Sequence, residues 1–293
     1  MKKIIVTGAN GQLGRSLQAI HAAHPSLEIR FTGQEELDAS RPEETARFLD
    51  RHPADWVINC AAYTNVDKAE SDRDACATGN TVLPENLARL TKERGAKLLH
   101  VSTDYVFDGR NCLPYREEDP TNPQSVYGQT KLAGEQRAMA ENENCVVIRT
   151  SWLYSEYGKN FLKTMLRLGA EKPELGVVFD QIGTPTYAGD LAEALLRVVE
   201  SDEAGQLRTG CFHYSNEGVC SWYDFACEIM RQAGLKVKVR PIETGEYPYQ
   251  AERPPYSVLN KKKIKQAYGL EIPHWTESLR RCLENMNALQ HND

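Results

Sequence analysis

The sequence lacks any apolar run of the roughly 18 residues that a membrane-spanning helix needs. At its start, only the three apolar residues 4–6 follow a pair of lysines, which is too few for the core of a signal peptide. The eight cysteines are scattered, and no two of them form a C-x-x-C pair, so no disulfide framework is expected. These absences predict a cytoplasmic protein with free thiols and no association with a membrane.

Patterns for binding metals or nucleic acids are also missing. His21 and His24 lie three residues apart, but no second pair of ligands accompanies them, so no metal site is predicted. The formal net charge is −6, and the lysine triplet at 261–263 is short enough to be an ordinary solvated surface. Such a charge balance gives no support to nucleic-acid binding.

In the first half of the sequence, short β-branched runs alternate with longer segments of helical periodicity, which is typical of a parallel sheet covered on both faces. The pattern predicts an α/β fold with a doubly wound, Rossmann-like sheet. The expected strands are 3–7, 28–31, 56–59, 97–102 and 146–149, and the helices between them are 12–23, 43–52, 84–94 and 127–141.

The alternation weakens after Thr150. We therefore expect a dinucleotide-binding domain at 1–150 and a smaller C-terminal lobe at 151–293 that mainly binds substrate. Short strands near 177–179 and 211–215 are candidates for pairing with the main sheet. The boundary between the domain and the lobe therefore need not lie at one position in the chain.

A glycine-rich turn joins the first predicted strand to the first helix, with Gly8, Gly11 and Gly14 at intervals of three. Such a turn lets a pyrophosphate approach the backbone at the N-terminus of the helix. No carboxylate stands at the end of the second strand to bind a ribose 2′-hydroxyl, whereas Arg30 could accommodate a 2′-phosphate. The turn predicts a nicotinamide dinucleotide, with NADPH favoured and NADH still open.

Tyr127 and Lys131 lie four residues apart at the start of a predicted helix, so both project from one face. A neighbouring ammonium lowers the pKa of a tyrosine by stabilising the phenolate. Ser102 and Thr103 lie at the carboxyl end of the fourth strand, and Ala61 and Ala62 follow the third. Because ligands bind outside the carboxyl ends of such strands, we expect these groups to share one crevice. A Tyr–Lys spacing of this kind also occurs by chance on amphipathic helices.

Six segments taken together resemble the extended short-chain dehydrogenase/reductase family, and within it the branch that reduces dTDP-linked 4-keto sugars. Their order and spacing fit that branch over almost the whole chain. The segments are TGANGQLG from Thr7, NCAAYTNVDKAE from Asn59, STDYVFDG from Ser102, YGQTKLAGE from Tyr127, RTSWLY from Arg149 and QIGTPTYAGDL from Gln181.

The resemblance implies a role for each matching residue. It implies catalysis by Tyr127 as proton donor, by Lys131 as its partner and by Thr103 as an orienting hydroxyl, and support of Lys131 by Asn80 through water. Cofactor contacts are implied for Gly8, Gly11, Gln12, Leu13, Gly14, Asp38, Ala61, Ala62, Tyr63, Tyr127 and Lys131, and substrate contacts for Thr103, Asp104, Trp152 and Arg253.

One position departs from the pattern of the family. Some relatives carry a glutamate two residues after the third glycine, associated with a cation and a dimer contact, and this chain has Ser16 there. A homodimer remains an expectation, but a metal-bridged one is not implied.

The implied reaction is the NAD(P)H-dependent reduction of the C4 ketone of dTDP-4-dehydro-L-rhamnose to dTDP-L-rhamnose. Two alternatives stay open. One is another nucleotide-sugar reductase or an epimerase of the same family, although Asp104 lacks the adjacent glutamate that a dehydratase would want. The other is a non-catalytic regulatory relative with the same fold, which the intact set of Thr103, Tyr127 and Lys131 disfavours.

Overall fold

A computed structural model describes residues 1–202, 205 and 207–290. Its strands are β1 (Lys2–Thr7), β2 (Leu27–Thr32), β3 (Trp56–Asn59), β4 (Lys97–Thr103), β5 (Cys145–Thr150), β6 (Leu153–Tyr154), β7 (Glu174–Val178), β8 (Ile182–Gly183), β9 (Thr186–Tyr187), β10 (Gly210–His213), β11 (Cys220–Ser221) and β12 (Lys238–Ile242).

The α-helices of the same residues are α1 (Gln12–Ile20), α2 (Pro42–Arg51), α3 (Val66–Ala69), α4 (Arg73–Ala77), α5 (Leu83–Glu93), α6 (Val126–Glu141), α7 (Phe161–Glu171), α8 (Ala188–Ser201), α9 (Trp222–Gln232), α10 (Lys262–Tyr268) and α11 (Trp275–Gln290). A π-helical turn, Thr78–Val82, leads into α5, and short 3₁₀ turns lie at His21–Ala23, Asp104–Val106 and Thr244–Glu246.

The central sheet has six parallel strands in the order β10-β5-β4-β3-β1-β2. The order reverses beside β1, so the crevice at the carboxyl ends of β1 and β3 is where a doubly wound sheet binds its ligand. This architecture confirms the predicted α/β, Rossmann-like class. Each of the five strands predicted in the first half lies in this sheet.

Alternate residues of the strands cover the two faces of the sheet. Ile4, Val6 and Ile58 pack with α1 and α8 on one face, whereas Ile5 and Val57 pack with residues of α2 and α5 on the other. Burial on both faces explains why these strands read as continuous apolar runs.

The two candidate strands of the second half lie in different sheets. The strand predicted near 211–215 lies in the main sheet as β10, which pairs in parallel with β5 from Gly210 opposite Val146. The one predicted near 177–179 does not return, and this expectation is wrong. It is β7, which pairs with β12 in a separate two-stranded sheet, since β10 occupies the edge beside β5.

Residues from the second half form a further core outside the sheet. Leu162, Phe225 and Leu279, from α7, α9 and α11, are fully buried in it. The helix α9 begins with a capping box, in which Ser221 and Asp224 bond each other's backbone N–H groups. Within the described residues, no helix is long and apolar enough to span a membrane.

Candidate active site

The glycine turn after β1 brings the backbone of β1 against that of β3. Gly8 has a φ of +70°, and a Cβ there would lie 2.6 Å from the backbone nitrogen of Ala61. A Cβ on Gly14 would lie 2.6 Å from the Cα of Ala9. Glycine is therefore required at both positions, once for its backbone conformation and once for close packing.

The first turn of α1 presents its backbone N–H groups without a side-chain cap. Gly11 is the N-cap residue, and no side chain bonds the first turn. Leu13 points into the core, and the Gln12 carboxamide oxygen accepts hydrogen bonds from Ser155 and Asn160 of the second half. Uncapped N–H groups at a helix N-terminus, next to a residue with no side chain, suit a pyrophosphate. These residues fit the predicted dinucleotide.

The residues after β2 are held by local bonds. Asp38 Oδ1 accepts hydrogen bonds from the backbone and hydroxyl of Ser40, and its Oδ2 lies 3.3 Å from Arg41 Nε. Arg30, within β2, is exposed and lies 3.5 Å from a carboxylate oxygen of Glu36. Exposed pairs of this kind are weak. Arg30 is thus free to exchange Glu36 for another anion at low cost.

The segment after β3 is fixed through its backbone. Ala61 donates its N–H to Asn59 Oδ1 at 3.1 Å. The Asn80 side chain accepts from the N–H of Tyr63 at 2.9 Å and donates to the Tyr63 carbonyl at 3.1 Å. Asn80 thus anchors Tyr63, and the support of Lys131 through water that the resemblance implied stays a prediction. Ala62 lies between the two anchored residues and adds little bulk to the crevice.

Two glycines let α6 approach its neighbours closely. A Cβ on Gly128 would overlap the carbonyl oxygen of Tyr105, and one on Gly134 would overlap that of Asn80. The N-cap residue of the helix is Ser125, whose hydroxyl accepts from the N–H of Gly128 at 3.2 Å. These contacts bring the first turn of α6 against the end of β4.

Lys131 is almost completely buried, at 2% exposure. Its Nζ donates to the Val101 carbonyl at 2.7 Å and lies 3.5 Å from His100 Nε2. Burial lowers the pKa of Lys131 to about 8, although the nearby Glu135 acts in the opposite direction. The side chain can exchange a proton close to neutral pH, which an exposed lysine cannot.

Tyr127 lies beside Thr103 and forms a hydrogen bond with its hydroxyl. Its ring meets the ring of Tyr105 edge-on, with 5.4 Å between the centroids. Burial nevertheless raises the pKa of Tyr127 above its ordinary value, because it disfavours the phenolate more than the hydrogen bond with Thr103 favours it. The sequence argument predicted a lowered pKa, and this structure gives the opposite direction.

Thr103 and Asp104 are buried together at the carboxyl end of β4. The Thr103 hydroxyl donates to Asp104 Oδ1 at 3.0 Å and accepts from the N–H of Tyr105. Burial raises the pKa of Asp104 to about 6, with the hydrogen bond from Thr103 acting against it. The hydroxyl of Thr103 therefore connects a phenol with a carboxyl group that titrates near neutral pH.

Trp152 follows β5 and has a φ of +47°, the one non-glycine residue with positive φ in the described part of the chain. Its ring stacks on that of Trp222, with centroids 3.6 Å apart and planes 9° apart. A Cβ on Gly183 would overlap the same ring. Such a conformation costs about 1 kcal/mol or more and persists only when the surroundings fix it, as they do here.

Arg253 reaches the site from a late loop. Its Nη1 donates to the Tyr105 hydroxyl at 3.0 Å, and its Nη2 lies 2.8 Å from Asp67 Oδ2. The guanidinium also lies 4.3 Å from the centroid of the Tyr249 ring. Tyr105 is two residues from Thr103, so this cation lies near the candidate catalytic groups.

Sequence reasoning missed several residues that support the site. His100 interrupts an apolar strand and is fully buried, a signal that was visible in the sequence. Glu135 and Arg149 form a buried bidentate ion pair, which ties α6 to β5. Trp222 stacks on Trp152 from 70 residues away, and no local pattern predicts that contact. Among the described residues, no cluster of side chains suited to a metal ion is present.

Comparison with known proteins agrees with this geometry. The model of one family, described as the RmlD substrate binding domain, matches residues 1–288. A dTDP-4-dehydrorhamnose reductase of Aggregatibacter actinomycetemcomitans is 39% identical over 98% of this chain and 99% of its own.

Solved structures agree as well. A dTDP-4-dehydrorhamnose reductase from Clostridium acetobutylicum is 42% identical, with a TM-score of 0.92 over 97% of this chain and 99% of its own. One from Bacillus anthracis, in complex with NADP, is 38% identical with the same TM-score and the same coverage of both chains. These matches confirm the resemblance seen in the sequence: the chain belongs to the RmlD substrate binding domain family.

Proposed function

We propose that this protein is an NAD(P)H-dependent reductase that converts the C4 ketone of dTDP-4-dehydro-L-rhamnose to the alcohol of dTDP-L-rhamnose. The observation that carries this proposal is that Tyr127 lies beside Thr103 at the carboxyl end of β4, with Lys131 one helical turn further along α6 and bonded to the same strand. Relatives of similar length and close structure carry the name of that reaction.

When bound, the nicotinamide supplies the hydride for C4. Gly8, Gly11 and Gly14 would leave room for its pyrophosphate, with N–H groups from Gln12 and Leu13 on the first turn of α1. Ala61, Ala62, Tyr63 and Asp38 would line the rest of the cofactor site. NADPH and NADH both remain candidates, and the exposed Arg30 favours NADPH.

Tyr127 would donate its phenol proton to the oxygen at C4 as negative charge develops there. A group with a high pKa gives up its proton only where the resulting phenolate is stabilised. The ammonium of Lys131 would supply that stabilisation in this buried site, while the Thr103 hydroxyl would hold the phenol in position through a hydrogen bond. Asp104, bonded to Thr103, would stabilise the orientation of that hydroxyl.

The substrate would lie between the end of β4 and the second half of the chain. Trp152 offers a rigid aromatic face for the sugar nucleotide, and Arg253 offers a cation near Thr103 and Asp104 for its phosphates. We assign 1–150, together with β10 and α8, to cofactor binding, and most of 151–293 to substrate binding.

Two further parts of the proposal concern the protein as a whole. We propose the cytoplasm as its location, since the eight cysteines are unpaired thiols. We also propose a homodimer, which sedimentation of the purified protein would test.

The direct test is the loss of NAD(P)H absorbance with dTDP-4-dehydro-L-rhamnose as acceptor, followed by identification of the sugar product. Stoichiometric oxidation with formation of dTDP-L-rhamnose supports the proposal. Tightly bound NAD without net consumption of added cofactor would instead indicate an epimerase. Absence of oxidation with any dTDP-keto-sugar, together with recovery of a partner enzyme on the protein, would indicate the non-catalytic alternative.

A further inference from the structure

A buried row of polar groups connects the active-site lysine to the glycine turn. His100 Nε2 lies 3.5 Å from Lys131 Nζ, and His100 Nδ1 lies 2.9 Å from Asn59 Nδ2. Asn59 Oδ1 accepts the Thr7 hydroxyl at 2.7 Å and the Ala61 N–H at 3.1 Å. His100 and Asn59 are at most 1% exposed, so protein groups must satisfy their polar atoms.

The Ala61 backbone determines which way the Asn59 amide points. A backbone N–H can only donate, so the amide oxygen must face it, and Asn59 Nδ2 must face His100. Nδ2 carries only donors, and His100 Nδ1 is therefore an acceptor. Burial lowers the pKa of His100 well below its ordinary value, which keeps the ring neutral. A neutral ring that accepts at Nδ1 carries its hydrogen on Nε2.

The Nε2–H of His100 therefore points at Lys131. An ammonium has three donors and no acceptor, so Nε2–H and a charged Lys131 oppose each other across 3.5 Å. An uncharged amine has a lone pair and can accept from Nε2–H. The Val101 carbonyl accepts from Nζ in either state. The tautomer of His100 thus favours the neutral form of Lys131.

We propose that His100 is a positioning residue, locked as the Nε2–H tautomer by Asn59, that makes Lys131 release its proton more readily. The proposal rests on the proposed function, in which the charge of Lys131 stabilises the phenolate of Tyr127. The proposal thus assigns His100 a role in the reaction, in addition to its packing between β4 and α6.

Other groups around Lys131 act on its charge as well. Glu135 on α6 favours the ammonium, while burial disfavours it most strongly, and the other titratable groups nearby are the thiols of Cys60, after β3, and Cys76, on α4. The charge of Glu135 is largely balanced by its bidentate pair with Arg149. A test must therefore change the tautomer of His100 while leaving these neighbours in place.

Asn59→Asp makes that change, because the two side chains have the same shape. A carboxylate only accepts, so it retains the bonds from Thr7 and Ala61 and takes a hydrogen from His100 Nδ1. His100 Nε2 then becomes an acceptor for the ammonium of Lys131. The variant should reverse the tautomer and raise the pKa of Lys131.

The tautomer is read from ¹⁵N chemical shifts of the imidazole in the free protein, and the pKa from a ¹³Cε lysine titration with Lys131→Met used for assignment. We expect an Nε2–H ring in the natural protein and an Nδ1–H ring in Asn59→Asp. The Lys131 midpoint should rise by about one pH unit or more, and the basic limb of kcat/KM should move with it.

A second variant separates the tautomer from the added charge. Asn59→Asp combined with His100→Phe carries the same carboxylate without ring nitrogens, so its Lys131 midpoint should rise much less than that of Asn59→Asp. An equal rise would assign the effect to the charge alone and overturn the proposal. An Nδ1–H ring in the natural protein would overturn it without any variant. Both spectra are recorded without cofactor or substrate, so a failed reductase assay beside a reversed tautomer would refute only the proposed function.

Discussion

Gly128 lies directly against the carbonyl oxygen of Tyr105, so the first turn of α6 and the loop after β4 are in backbone contact. This contact sets the distance between Tyr127, next to Gly128, and Thr103, two residues before Tyr105. The proposed proton donor and its orienting hydroxyl are thus held by packing of the main chain rather than by side chains alone.

Gly128→Ala should therefore reduce catalytic activity more than it reduces the stability of the fold. A methyl group must push α6 away from β4, and displacement of a reacting group by about 1 Å can cost about 100-fold in rate. We expect a loss of that order in kcat/KM, measured by NADPH oxidation, with unfolding in urea still cooperative. Gly245→Ala is the matched control, since a Cβ at Gly245 meets no atom within 4 Å. Equal activity of both variants would show that the contact does not position Tyr127.

Tyr127→Phe should abolish most turnover and leave cofactor binding nearly unchanged. The variant retains the ring and its contact with Tyr105 but lacks the phenol proton. General acid catalysis typically accelerates a reaction by about 10²–10⁴-fold. Turnover is followed by absorbance, and the Kd of NADPH by fluorescence. Residual kcat within about threefold of the natural protein would contradict a role for the phenol as proton donor.

The rate should fall at basic pH. Burial lowers the pKa of Lys131 to about 8, so the ammonium that we propose to stabilise the phenolate is lost as the pH rises through that value. We expect kcat/KM to decrease about tenfold per pH unit above the midpoint. A profile that stays flat to pH 9.5 would mean that the charge of Lys131 is not needed.

The same lysine should make stability depend on pH. Its folded pKa of about 8 lies below the ordinary 10.5, so the unfolded chain binds more protons between these values. The penalty for burying the ammonium is full below pH 8 and fades as the pH rises. The free energy of unfolding of Lys131→Met is compared with that of the natural protein at each pH. The value for the variant minus the value for the natural protein should decrease by about 2 kcal/mol between pH 7 and 9.5. The exposed Lys159→Met should show no such change.

Trp222→Leu should weaken substrate binding from a distance. Its ring supports Trp152 in a left-handed backbone conformation, and a stacked aromatic pair contributes about 0.5–1.5 kcal/mol. We expect the KM for the dTDP-sugar to rise about threefold to tenfold, with the Kd of NADPH unchanged. Tyr223→Leu, on the same helix, is the control. A rise in KM common to both variants would indicate a general loss of packing.

Local patterns in the sequence were enough to predict the central sheet and the glycine turn. Apolar runs such as 56–59 and 146–149 are buried on both faces, so their composition alone marks them as strands of a covered parallel sheet. The short helices α3 and α4 and the π-helical turn before α5 were not predicted, because segments of four or five residues carry too little periodicity.

The sequence by itself determined which residues are candidates for chemistry. Spacing places Tyr127 and Lys131 on one helical face, and the ends of strands place Thr103 and Ala61 at one edge of the sheet. The tertiary structure decided their ionisation. Burial raises the pKa of Tyr127 and lowers that of Lys131, and His100 and Asn59 meet Lys131 only because β3, β4 and α6 pack together. Charge depends on the surrounding medium and on distant neighbours, and neither is contained in local spacing.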